Sequence, residues 1–477
     1  MRNKISFAIA MFVIFACGVS LGQTLTGLTN VAPDGAGIGF LLTDGTVLYQ
    51  GNQMSDWWKL TPDVKGSYLN GTWSQAASLQ SGYVPLYFAS AVLADGRVVI
   101  EGGEYQDLNF ALTNQGSVYD PATDKWTALK PPAGWKYIGD SPSGVLPDGR
   151  FVVGQKLTKN MAALDPKTLT WSPLKSTGKK DFDAEEGWTL LADGTFLTYD
   201  VKAAPHSERY LVADQKWVSE GSTIVDLHTP HQGGCIPYGG GCYYPPGEVG
   251  PGLLRPDGTV LATGAASDNG NGPGHTAVYD SSTGKWAVGP DFPNNDNAGD
   301  SYAALLTNGN ALVLGESGVL YEFDGKNMTA GPNSGGGYQS LIMLPSGEVI
   351  VGGFALYSTK GTYSPAWAPK ITKFTASVKR GSTYKISGQQ FNGLSQAASF
   401  GDELETATNY PLVRITNNST GHVFYARTHD HSTMGVATGK ATVFTYFDVP
   451  AKMETGASKL EVVANGIPSK AVTVTVN

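Results

Sequence analysis

The chain has 477 residues, 41% of them hydrophobic and only 16% charged, with a formal net charge of −8. That length supports two or three domains with sizeable cores, and the low charge excludes a disordered or helix-rich chain. The 61 glycines follow no Gly-x-y period, which excludes collagen; with 27 prolines they point to many turns, as in all-β folds.

The first element reads as a leader. Arg2 and Lys4 precede a short apolar run at 5–16, well under the roughly 20 residues that a transmembrane helix needs. Small residues at Ser20 and Gly22 allow cleavage before Gln23, so 1–22 is expected to be a signal peptide and the protein exported, periplasmic or extracellular. Anchoring as a lipoprotein through Cys17 is the alternative, on a poor lipobox because Phe15 stands in it. No other segment could span a membrane. Cleavage removes two positive charges from an already acidic chain, a poor partner for nucleic acid or anionic membranes. Only Cys235 and Cys242 then remain. In an oxidising compartment they are expected to form a disulfide, the alternative being two thiolate metal ligands.

From residue 23 one pattern recurs seven times: an apolar run, a turn, a second apolar run. GIGFLLTDGTVLYQG, ASAVLADGRVVIEGG and GPGLLRPDGTVLATG are examples. The turns fall at Asp44, Asp95, Asp148, Asp193, Asp257, Asn308 and Ser346. Asp-Gly and Asn-Gly between apolar runs signal hairpins, here expected to be type I′ with φ > 0 twice. Most units continue into two further strands, as in SVYDPATDKWTAL, and Trp126, Trp171, Trp217 and Trp286 are expected to pack between neighbouring units. Four short strands per unit at a period of about 50 residues predict a seven-bladed kelch-type β-propeller over 23–367. The last unit has room for three strands, so residues near 23–30 are expected to supply its outer strand.

From 368 to 477 the pattern changes to about seven strands, the size and rhythm of an immunoglobulin-like β-sandwich. ITKFTASV, HVFYART and AVTVTV are among them, and 363–369 is the linker.

Equal offsets from the turns put side chains at equal heights on the inner strands. Eight residues upstream lie Ala36, Tyr87, Asp140, Glu185, Val249, Asp300 and Tyr338, with Glu248 one residue away. Carboxylates converging at one rim of a channel would accept hydrogen bonds from sugar hydroxyls or take a cation; the plain alternative is solvated loop ends. The connection before the fifth unit is long and carries LHTPHQGGCIPYGGGCYYPPGE, whose Tyr238, Tyr243 and Tyr244 could stack on a sugar at the same mouth. A surface loop is the alternative there.

The blades, the sandwich and the segment RTHDHSTMG together resemble the galactose oxidase and glyoxal oxidase family of copper radical oxidases over nearly the whole mature chain. The resemblance implies copper held by two tyrosines and two histidines, one tyrosine being cross-linked to a cysteine, for one-electron chemistry on an alcohol. Tyr87 matches the cross-linked tyrosine, His429 the histidine inserted from the sandwich, and Tyr338 the region of a Tyr-His pair. Gln339 stands where that histidine would be, and Ala36 and Gly37 lie where the cysteine is expected, so the copper site is incomplete. His431, two residues after His429, shares its strand face and could ligate the same metal. His228 and His231 could approach the mouth; His275 and His422 read as structural or solvated.

The sequence therefore supports a monomeric binding propeller for carbohydrate or another small polar ligand, with Asp140, Glu185, Glu248, Asp300, Gln339, Tyr238 and Tyr243 as ligand-binding residues. The competing reading is an enzyme on the same site. One form is a divergent copper oxidase of alcohols or aldehydes on Tyr87, Tyr338 and His429. Another is a glycan hydrolase or lyase dependent on copper or another divalent metal and using His429, Glu185, Glu248 and Tyr87, with a carboxylate or phenol as base. A protein-interaction scaffold is the third reading. No G-x-S-x-G, P-loop, H-E-x-x-H or paired C-x-x-C motif occurs.

Overall fold

The computed structural model describes residues 23–229, 236–238, 241–243, 247–337, 339–400 and 406–477, with backbone alone at 236–238, 241–243, 269 and 398–400. The expected leader, 1–22 with Cys17, lies outside the described residues. The protein is all-β; its only α-helix among these residues is the single turn Ser267–Gly270. No helix among them is long and apolar enough to cross a membrane.

The repeats form six four-stranded antiparallel sheets and a seventh that gains a fifth strand from Ala398–Phe400, the architecture of a β-propeller. The innermost strands are Gly39–Leu41, Ala89–Val92, Ser143–Val145, Thr189–Leu190, Gly252–Leu254, Tyr302–Leu305 and Leu341–Met343. All of them are buried. Gly39–Leu41 lies beside Leu341–Met343, so the run of sheets returns to its start. The last sheet takes its outer strand, Thr24–Gly27, from the beginning of the described chain, with Thr24 opposite Ser358 and Gly27 opposite Ala355. A gap of one strand is thereby filled from the other end of the repeat array.

The turns differ from the type I′ expectation. In the first, Gly45 N donates to Leu42 O at 3.0 Å and Leu42 N to Thr46 O at 2.7 Å. Only the glycine is left-handed, with φ of 78° at Gly45, 84° at Gly96 and 90° at Gly149. This is a three-residue loop closed by a glycine bulge. Its aspartate is held in place because Asp44 Oδ1 accepts from Thr46 N at 3.0 Å, as Asp95 Oδ1 does from Arg97 N at 3.1 Å. A side chain that mimics a backbone turn selects Asp without needing φ > 0.

The tryptophans clasp successive sheets. Trp126 Nε1 donates to Ala77 O at 2.9 Å, and Trp171 Nε1 to Lys130 O at 2.9 Å. Trp286 Nε1 reaches Glu220 O at 3.1 Å, each bond crossing to the preceding sheet. The rings pack as well: Trp126 lies 5.0 Å from Trp57, centroid to centroid. A partly buried indole supplies large apolar area and still satisfies its N–H.

Residues 370–477 form a further sheet with its own apolar cluster, which includes Ile386, Val413, Phe447 and Leu460. This C-terminal unit docks on the turn face of the repeats. Thr428 N donates to Thr43 O at 3.1 Å, His431 N to Ala94 O at 3.0 Å and Met434 N to Pro147 O at 3.0 Å. From it, a segment enters along the inner strands. Ala398–Phe400 pairs antiparallel with the inner strand Tyr302–Leu305, and Gln396 Oε1 accepts from Leu190 N at 3.0 Å.

Candidate functional site: the acidic mouth

The inner strands begin at the rim opposite the docked C-terminal unit, and side chains from several sheets meet there. Lys156 is wholly buried. Its Nζ pairs with Asp140 Oδ2 and stands 2.6 Å from Glu185 Oε1. Glu185 forms a parallel bridge with Glu248, whose backbone also pairs with Thr229. Two sheet-end residues, Asp140 and Glu185, thus share one lysine, and Glu248 joins them from the long connection before the fifth sheet.

Burial, offset in part by Lys156, pushes the Asp140 carboxyl up to about 7, with the charge of Glu185 adding to it. Burial likewise raises Glu248 to about 7, reinforced by Glu185 and Glu316. Desolvation opposes the charged form, and one lysine cannot offset several carboxylates. Asp140 is 2% exposed, and its Oδ1 has no hydrogen-bond partner. Such an oxygen can accept from a ligand that reaches it.

An aromatic wall stands beside the acids. Tyr87 and Tyr105 meet edge to face at 6.0 Å, and Tyr105 and Phe110 do so at 6.1 Å. Tyr105 and Phe110 come from a small hairpin, Tyr105–Gln106 and Asn109–Phe110, paired with Pro85–Leu86. Burial raises the Tyr105 phenol, as do the nearby charges of Glu104, Asp140, Glu185 and Asp300. Tyr87 has φ 53° and Asp300 has φ 48°. Both are non-glycine residues held in the left-handed region at the same offset from their turns, and such backbone is retained where the surroundings enforce it.

The structure therefore brings together Asp140, Glu185, Glu248, Asp300 and Tyr87. Gln339 is half-buried on the last sheet, near Gly336 and Gly352, with Oε1 unpartnered. Tyr338, Tyr244, His231 and Cys235 lie outside the described residues. Strands Ile236–Tyr238 and Gly241–Tyr243 pair, but the side chains of Tyr238, Tyr243 and Cys242 lie outside the described residues, and with them the expected disulfide.

His228 lies against Gly247, next to Glu248, whereas His429 and His431 are elsewhere. The segment that enters the repeats is Gln396 onward, and RTHDH stays at the turn face. His429 Nδ1 is 2.8 Å from Asp430 Oδ2 and its Nε2 is 3.3 Å from Asp448 Oδ1. His431 is buried, its Nδ1 2.9 Å from Thr445 Oγ1 and its ring stacked on Tyr410. Burial, with the nearby His429 charge, lowers its pKa to about 3. The expectation that these two share a metal with Tyr87 is corrected on this ground: they face different partners, at the far ends of the inner strands from the mouth. His429 and His431 therefore do not complete a copper set with Tyr87. His275 and His422 pair with Asp291 and Glu454, each at 2.7 Å.

Lys156, Tyr105 and Phe110 were not legible as site residues. Lys156 does stand out as a charge following the apolar run FVVG, which is the one signal the sequence carries. No family model matches the chain. It is similar to the kelch-like protein terF of Aspergillus terreus (strain NIH 2624 / FGSC A1156), 29% identical over 92 residues, which is 19% of each chain. The match thus spans about a fifth of that relative's length. Among solved structures it resembles a streptogramin B lyase (TM-score 0.47, 13% identity, 71% of this chain and 98% of that one). It also resembles the virginiamycin B lyase of Staphylococcus aureus (TM-score 0.46, 11% identity, 71% and 99%). No residue or reaction carries over from likenesses of this size. By its repeats and four-stranded sheets the chain has the architecture of a β-propeller, and over 92 residues it is similar to a kelch-like protein.

Proposed function

We propose that this is an exported, monomeric, galactose oxidase-like propeller of seven blades with an immunoglobulin-like C-terminal domain. Its function is to bind carbohydrate or another small polar ligand at the acidic mouth, without copper-radical chemistry. The observation that carries this is the convergence of Asp140 and Glu185 on Lys156, with Glu248 bridged to Glu185, beside the Tyr87–Tyr105–Phe110 wall. Carboxylates take hydroxyl or ammonium hydrogens, and aromatic faces take the apolar side of a sugar ring. A glycan array followed by calorimetry tests it, with Glu248→Gln and Tyr105→Ala as variants. Micromolar to millimolar binding, weakened about tenfold or more by either change, supports the reading; unchanged affinity in both variants overturns it.

A second reading has one observation in its favour. Asp140 and Glu248 are held near neutrality, where a carboxyl serves as general acid or base. A hydrolase or lyase would then act on the bound ligand. Turnover of an array hit, lost in Glu248→Gln while binding persists, separates this from binding alone. Export rests on the leader, and recovery of a mature chain beginning at Gln23 is the check; retention in a membrane fraction through Cys17 favours the anchored form.

A further inference from the structure

A second cluster of charges lies on the far side of the Glu185–Glu186 step and takes no part in the mouth. Lys179 Nζ stands 2.7 Å from Glu186 Oε1, 3.4 Å from Glu208 Oε2 and 3.9 Å from Asp183 Oδ1. Asp181 and Asp200 lie alongside, and all six residues are buried. Five carboxylates thus face one buried lysine. His206 adds little positive charge, because burial lowers its pKa, and its Nδ1 sits 2.6 Å from Asp200 Oδ2. Buried carboxylates in such excess take up either protons or a counter-charge.

Three of them are arranged to share one. Asp181, Glu186 and Asp200 each bring a carboxylate oxygen within 4.8 Å of the other two. Glu186 Oε2 and Asp200 Oδ1 have no hydrogen-bond partner, although their residues are 0% and 2% exposed. Their other oxygens are taken, by Lys179 and His206 respectively. Asp181 is anchored by accepting from Lys202 N at 2.6 Å and from Phe182 N at 2.8 Å. The two unpartnered oxygens are therefore the ones left for a ligand.

We propose that Asp181, Glu186 and Asp200 hold a hard divalent cation of the calcium class. The cation would tie the loop before the inner strand Thr189–Leu190 to the end of the next strand, Phe196–Tyr199. An all-oxygen, all-carboxylate set suits calcium and leaves its remaining positions to water. The role is structural: the cation fixes the segment whose preceding residue, Glu185, lines the mouth.

The test uses the full mature chain, stripped with chelator and returned to calcium or terbium. One equivalent of calcium is expected, with a melting temperature several degrees higher than in chelator. Trp188 Nε1 is 3.4 Å from Glu186 Oε1, so terbium at this site should luminesce when tryptophan is excited, a readout that needs no variant. Glu186→Gln and Asp200→Asn should each abolish the calcium-dependent shift, and Asp140→Asn should keep it. Absence of stoichiometric metal and of terbium luminescence in the unaltered chain overturns the proposal. A shift that survives Glu186→Gln but vanishes in Asp140→Asn also overturns it, by placing the cation at the mouth.

Discussion

Glu185 and Glu186 are neighbours in the chain yet face different lysines: Glu185 Oε1 lies 2.6 Å from Lys156 Nζ, and Glu186 Oε1 lies 2.7 Å from Lys179 Nζ. Extended backbone sends consecutive side chains to opposite sides. Here that alternation divides one acidic pair between an open mouth and a closed interior.

Lys156 is the counter-charge on which the mouth depends. Lys156→Met leaves Asp140 and Glu185 without it, and the loss of stability is expected to be about 3–5 kcal/mol at neutral pH. Urea unfolding measures this. A loss under about 1 kcal/mol would mean the lysine is solvated and the pairing incidental.

Stability should also depend on pH through Asp140 and Glu248. Both are raised to about 7, so between about pH 4 and 7 the folded chain holds protons that the unfolded chain releases. The contribution of these groups is full at the acid end, declines as pH rises through about 7, and is flat above. Asp140→Asn should make the decline from pH 5 to 8 shallower than in the unaltered chain. An equal or steeper decline would contradict the assignment.

The tryptophan clasps separate hydrogen bonding from packing. Trp126→Phe keeps most of the ring and loses the bond to Ala77 O, at a cost of about 1 kcal/mol. Trp126→Ala also opens a cavity against Trp57 and should cost about 3–5 kcal/mol. Thermal melts of the pair check the ordering.

Gly96 is required by its turn. Its φ is 84°, and an added Cβ would lie 2.7 Å from Thr43 Oγ1 and 3.0 Å from Thr428 O. Gly96→Ala should cost about 1–2 kcal/mol from backbone conformation alone, and more if Thr428, part of the C-terminal unit, must move. Limited proteolysis should then release that unit sooner.

His429→Ala should leave ligand binding at the mouth unchanged, because its partners Asp430 and Asp448 belong to the C-terminal unit. The stability change should stay below about 1 kcal/mol for so exposed a set of pairs. Lost binding in a folded variant would return His429 to the site.

Much of this molecule is written in local pattern. Hairpin spacing set the inner strands, because a period of two and an Asp-Gly turn act over a few residues. The same spacing aligned Asp140, Glu185 and Asp300 at one height, since equal offsets on parallel-running strands reach equal depth. The turn type departs from the type I′ expectation for an equally local reason: Asp44 accepts a backbone N–H, which spares it a left-handed conformation.

What the sequence determined by itself is the repeat, its strand order and the acidic rim, each a consequence of short-range periodicity. Tertiary structure alone decided which lysine meets which carboxylate, that the segment from Gln396 and not RTHDH enters the repeats, and that Asp181, Glu186 and Asp200 converge. Those contacts join residues distant in the chain or turned to opposite faces by the pleat, and their geometry is fixed only when whole sheets pack against one another.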